Sequence, residues 1–154
     1  MKRIALFILS LSFCCAVEAQ SYGPNVTLEQ AKSALAAAEA EAVKQNLNVA
    51  IAIVDTAGNL VAYVKRDDTQ LGSVEVSQAK ARTAAAFKRA TKAFQDNVAA
   101  GGEGLRVMTF PGVVAAEGGI PLAVNGAIVG AIGVSGGTSA QDGGIAAAGV
   151  AALK

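Results

Sequence analysis

NVAIAIVD (Asn48–Asp55), TAGN (Thr56–Asn59) and LVAYVK (Leu60–Lys65) follow one another without a break, and their reading decides the fold. The first run is apolar, rich in β-branched residues and uncharged until its last residue, the pattern of a strand buried on both faces. Thr56–Asn59 is turn material, and Asp55 is placed to hold it as an Asx-type turn residue. Leu60, Ala62 and Val64 alternate with Val61, Tyr63 and Lys65, which marks a second strand. Two strands about a short glycine turn make an antiparallel hairpin.

The same logic applies near the C-terminus. Ile120–Val124 and Ala127–Val134 flank Asn125-Gly126, the strongest short signal for a type I′ turn. Gly130, Ala131 and Gly133 are small enough to let a helix or another subunit approach the sheet closely. Pro111-Gly112 opens a further short strand at Val113–Ala116, which Glu117-Gly118-Gly119 interrupts.

Helices fill the intervals. Thr27 and Gln30 form a capping box that opens a helix running to about Asn46, with Leu28, Ala31, Leu35, Ala38 and Ala42 on one stripe. Ser73–Phe87 and Thr91–Ala99 read as a second and a third helix, and Gly101, Gly102 and Gly104 end the latter. Thr138 and Gln141 form another capping box before a last helix, Asp142–Leu153. The order α-ββ-α-α-βββ-α predicts an α+β fold, an antiparallel sheet of about five strands covered by helices.

The chain of 154 residues is 53% hydrophobic and 16% charged, with a net charge of +1 and no histidine. Without a basic cluster it carries no nucleic-acid footprint. Lys2 and Arg3, an apolar run from Ile4 to Phe13, and Val17-Glu18-Ala19 occur in the order of a signal peptide, too short to span a bilayer. The expected organisation is a leader at 1–19, a flexible lead-in at 20–26 and one domain at 27–154, in a periplasmic or secreted protein. Both cysteines, Cys14 and Cys15, fall in the leader. The remaining chain therefore offers neither thiolate nor imidazole, which excludes disulfides, Cys/His zinc sites and His-based triads.

Chemistry must come from other groups. Ser135-Gly136-Gly137-Thr138 joins a strand to a helix start, where free N–H groups and the helix dipole favour an anion. Lys80 interrupts the stripe Val76, Thr83, Ala84, Phe87 and reads either as a snorkelling lysine or as a cation aimed at an acid. A buried ammonium needs such a partner, and Asp55, Asp68, Glu117 or a ligand carboxylate are the candidates. Glu75, Gln78 and Arg82 form a second, polar stripe. Arg66 is a candidate ligand cation, or one half of a loop-fixing pair with Asp68. Glu117 offers a carboxylate on a backbone kink. Tyr63 and Met108 are the phenolate and soft metal ligands left.

Several separated motifs share an order with one family: Val54-Asp55-x-x-Gly58-x-Leu60-Val61, Arg66-x-Asp68, Lys80-Ala-x-Thr83-Ala84, Pro111-Gly112, Glu117-Gly118-Gly119-x-Pro121, Asn125-Gly126-x-x-x-Gly130-Ala-Ile-Gly133 and Gln141-Asp142. On these the chain, from about Thr27 to Leu153, resembles the GlcG/HbpS-like group of haem-binding or haem-degrading proteins. The resemblance implies a profilin-like fold, assembly as a homo-oligomer from dimer to octamer, and haem or a related tetrapyrrole as ligand in some members. Secreted haem-sensing relatives carry a Glu-x-x-Glu iron motif on the second helix. It aligns here with Glu75-Val-Ser-Gln78, and a neutral amide is a poor donor to iron. The threonine that some relatives place after the Pro-Gly is Val113 here. The expectation is therefore a small-molecule-binding protein with no membrane span, haem its leading ligand and held with little axial coordination. Lys80, Arg66 or the Ser135–Thr138 turn would hold propionates. The alternatives are a cofactor-independent enzyme acting on a small carboxylic or hydroxy acid through Lys80 or Glu117, and a purely assembling interaction protein.

Overall fold

The structure, a computed structural model, describes residues 20–153. The leader expected at 1–19 lies outside the described residues. Four helices and four strands run in the order α1 (Leu28–Lys44), β1 (Ala50–Asp55), β2 (Leu60–Lys65), α2 (Gly72–Phe87), α3 (Lys92–Ala100), β3 (Gly119–Val124), β4 (Ala127–Ser135) and α4 (Ser139–Ala151). The strands form one antiparallel sheet in the order β2-β1-β4-β3.

The two central strands are buried on both faces, as sequences without a charge before Asp55 require. Val49, Ile51 and Ile53 of β1 and its approach, with Leu122, Ile132 and Val134, pack against Ala31, Ala34, Ala38 and Ala42 of α1 and Ile145 and Ala146 of α4. Ala52, Val54 and Ala131 face the other way, against Ala81, Ala84 and Ala85 of α2. The period of two in the strands thus becomes two helical layers around one sheet. The layers are thin because their contacts are glycine and alanine. A Cβ at Gly133 would collide with the Ser77 carbonyl and lie 2.5 Å from the Ala81 nitrogen, so α2 sits directly on β4 there.

Both capping boxes form. Thr27 and Gln30 close the start of α1, and Thr138 and Gln141 that of α4. Asn125 and Gly126 hold φ of 51° and 79°, the paired positive values a type I′ turn needs. Asp55 accepts hydrogen bonds from the Ala57 and Asn59 nitrogens, the expected Asx turn.

Two expectations are corrected. The sheet has four strands rather than about five, because Val113–Ala116 is not a strand. Gly112 turns the chain at φ 70°, and the Val114 N–H donates to the Thr83 hydroxyl of α2. Gly101 ends α3 at φ 70°, as expected, and the chain continues into a 3₁₀ segment, Gly102–Thr109. Leu28 is 54% exposed, so the stripe α1 buries is alanine, with Leu35 at its margin. The lead-in at 20–26 is fastened by main-chain hydrogen bonds from Gly23 and Val26 to β4, and by the Tyr22 hydroxyl, which donates to the Ala85 carbonyl.

Candidate functional site

The residues singled out in sequence fall into three places rather than one. The first is an interior ion pair. α2 approaches β3 so closely that a Cβ at Gly119 would collide with the Lys80 carbonyl, and Gly118, at φ 127°, leaves open the space beside it. Lys80 fills that space. Its ammonium donates to the Val134 carbonyl at 2.9 Å and to the Asp142 carboxylate at 2.8 Å, and both side chains of the pair are 3% exposed. The bond ties α2, on one face of the sheet, to the start of α4 on the other.

Lys80 is therefore neither a snorkelling surface lysine nor an open ligand cation, and its acid is none of Asp55, Asp68 and Glu117. Burial pushes the Asp142 carboxyl above the ordinary carboxylate range, against the opposing pull of Lys80 and of the Gly137 and Gly136 N–H groups. The strand-to-helix turn does bind an anion, but the anion is this carboxylate, which accepts from the Gly137 nitrogen at 2.9 Å. The Thr138 nitrogen is taken by Gln141, and the Ser135 hydroxyl bonds to that of Ser73 beneath α2. The donors at Ser135, Gly137 and Thr138 are thus engaged within the protein. Asp142 was missed as a partner, although an acid in the first turn of a capped helix just after Gly-Gly is the signal that could have found it.

The second place is the open edge formed by β2. Tyr63 lies on the α2 face of this strand, and its hydroxyl is buried without a hydrogen bond among the described residues. Burial, with a contribution from the nearby charge of Glu75, raises its pKa, which works against its use as a phenolate ligand. Gln78 accepts from Arg82, whose Nε–H also reaches the Gly58 carbonyl, so a guanidinium already occupies the polar stripe. Arg66 lines a cavity of about 290 Å³ beside this edge. The ion pairs among the described residues do not include an Arg66–Asp68 pair, which corrects the loop-fixing reading. No group of three or more His, Cys, Asp or Glu among the described residues could hold a metal ion.

The third place is a cleft of about 470 Å³ between β3 and α4. Ile120, Ala140 and Ala147 give it apolar walls, Gly143 and Gly144 flatten the helix side, and Lys92 and Glu117 supply its two charges. Glu117 lies against Gly143, where a Cβ would come within 2.9 Å of its Cδ. Its main-chain N–H donates to Gln95, while its carboxylate makes no hydrogen bond or ion pair among the described residues. Lys92 is paired with Asp96; that hydrogen bond raises its pKa, with a smaller push from Glu117. Lys92 was not singled out in sequence. A lysine in the first turn of a helix opposes the helix dipole, and that conflict was the available signal.

Arg66 and Glu117 lie toward opposite edges of a four-stranded sheet, roughly 14 Å of sheet width apart at the usual strand spacing, so one pocket does not hold both. Met108 is 72% exposed on the 3₁₀ segment and does not line the cleft. Among the described residues, no helix is long and apolar enough to cross a membrane.

Residues 26–151 match the family described as haem degrading protein HbpS-like. Protein GlcG of Escherichia coli is 42% identical over 107 residues, which covers 70% of this chain and 78% of GlcG. The crystal structure of HbpS superposes with a TM-score of 0.78 at 31% identity, covering 87% of this chain and 94% of that one. The crystal structure of a PduOC:haem complex does so with a TM-score of 0.76 at 31% identity, covering 84% and 96%.

Proposed function

Because the chain belongs to the HbpS-like family of haem-degrading proteins, we propose that it binds a flat, carboxylate-bearing small molecule, with haem or a related tetrapyrrole the leading ligand, in the cleft between β3 and α4. The observation that carries this reading is the likeness, over most of both chains, to a relative whose structure is a haem complex.

The residues of the cleft suit such a group. Ile120, Ala140 and Ala147 give apolar area for the face of a macrocycle, and glycines on α4 allow flat contact. Lys92 is the cation for a propionate. Glu117, a hard oxygen donor without a partner, is the one lining carboxylate that ferric iron would accept. With no histidine in the chain and Met108 and Tyr63 elsewhere, the protein holds the group through packing and charge more than through a strong axial bond. Bound haem would supply iron-centred redox chemistry; the chain's own residues bind and orient it. Export to the periplasm or medium, on the leader read at 1–19, and assembly as a homo-oligomer belong to the same proposal.

Hemin titration of the purified protein tests it. The expected result is a saturable Soret change with a high-spin spectrum, weakened at least about tenfold by Gly144→Phe, which fills the cleft from an exposed helix position. The intact mass of the exported chain, starting at Gln20, checks the leader. No Soret change at stoichiometric hemin, a low-spin spectrum of two strong nitrogen ligands, or binding indifferent to Gly144→Phe would each overturn the assignment.

A further inference from the structure

The cavity beside β2 is lined by five charged side chains of both signs, none of which joins an ion pair among the described residues. It has a volume of about 290 Å³, and its lining includes Glu39 from α1, Asn48 before β1, and Lys65, Arg66, Asp67 and Asp68 at the end of β2. The Arg66 Nε–H is buried and makes no hydrogen bond among the described residues. Its guanidinium joins none of the ion pairs among the described residues, and neither do Glu39, Asp67 and Asp68. An arginine offers five donors in a fixed fork and binds carboxylates side by side, and here that fork pairs with none of the three acids that line the same cavity.

The main chain around Arg66 is fastened by its own hydrogen bonds. The Arg66 nitrogen donates to the Val49 carbonyl, and the Arg66 carbonyl accepts from the Thr69 nitrogen and hydroxyl at the turn. Asp68 is pinned at φ 59°, in the left-handed region. Glu39 belongs to α1, whose position is fixed by the alanine face packed on the sheet.

We propose that this cavity is a second ligand site, separate from the haem cleft, and that it takes a small zwitterion of the α-amino acid class. The ligand carboxylate pairs with Arg66 and accepts from the Asn48 amide, and its ammonium lies among Glu39, Asp67 and Asp68. A simple anion is disfavoured because the three acids outnumber Lys65 and Arg66, and a simple cation leaves Arg66 without its acceptor. The volume lies at the lower end of the range for small-molecule pockets, which suits a metabolite of a few heavy atoms and excludes a tetrapyrrole. The site stands whether or not haem binds the cleft at the other edge of the sheet.

L-alanine, propionate and ethylamine are the probes, since the last two each lack one of alanine's charged groups. Each is titrated into the ¹⁵N-labelled protein at fixed pH. L-alanine is expected to shift the amides of Asn48 and Lys65–Asp68 saturably, with half-saturation below about 10 mM, and the two analogues at least about tenfold more weakly. Arg66→Gln and Glu39→Gln are each expected to weaken L-alanine at least about tenfold, the loss of one charge-assisted contact. Both positions are partly exposed, so the variants should fold, and an unchanged spectrum away from the cavity verifies it. If propionate or ethylamine matches L-alanine, if folded Arg66→Gln binds it as well as wild type, or if none of the three shifts those amides, the proposal fails.

Discussion

Removing both members of the Lys80–Asp142 pair should destabilise the protein far less than the sum of the two single removals. At 2.8 Å and an effective dielectric constant of about 20, the attraction between the charges is roughly 6 kcal/mol. Desolvation of two side chains that are each 3% exposed opposes it, so the pair's net contribution is small. Its loss is another matter. Lys80→Met keeps most of the stem but strands a buried carboxylate, and Asp142→Asn strands a buried ammonium, each at about 3–5 kcal/mol. In Lys80→Met/Asp142→Asn neither charge remains, and the cost should stay near that of one single variant, an interaction of roughly 3 kcal/mol. Urea unfolding at fixed protein concentration reads this directly. With a slope near 2 kcal/mol/M, each single variant should lower the midpoint by about 2 M without changing the slope. A Lys80→Met variant within about 0.5 kcal/mol of wild type, or singles that add to the double within the same margin, would show that the two charges do not face each other in a dry interior.

Two glycines should answer oppositely to alanine. Gly133→Ala drives a Cβ into the Ser77 carbonyl and should cost about 2–3 kcal/mol or more in the same assay, whereas Gly144→Ala meets only the Gln45 Nε2 at 3.9 Å and should hold or raise stability by up to about 1 kcal/mol. Equal effects would contradict the close seating of α2 on β4. Tyr63 supplies a pH dependence. Its folded pKa lies above the ordinary 10.0, so its share of stability is complete below that value and is lost as pH rises through the folded pKa. Thermal melts between about pH 9 and 11.5 should therefore fall more steeply for wild type than for Tyr63→Phe, and parallel curves would show the hydroxyl to be solvated.

Much of the fold was legible because it is local. The Asp55 turn, the Asn125-Gly126 turn and both capping boxes are each set by residues within four positions of one another, and each forms as read. The uncharged runs of β1 and β4 likewise announced a sheet buried on both faces. What failed was a competition that only the assembled chain decides. Val113–Ala116 has strand composition, yet the Val114 N–H finds the Thr83 hydroxyl on a helix 31 residues earlier. Sequence could say that Lys80 needed an acid, since burying an ammonium alone is prohibitive, but not which one. Asp142 is 62 residues away and on the other side of the sheet, and only the tight passage at Gly118 brings the two together. The anion-binding turn was recognised correctly, but its occupant was not, because a helix terminus attracts any carboxylate that the fold delivers. Local hydrogen bonding and the periodicity of burial are written in neighbouring residues. The pairing of buried charges, and the separation of Arg66 from Glu117 onto opposite edges of the sheet, depend on strand order, which no short stretch of the chain encodes.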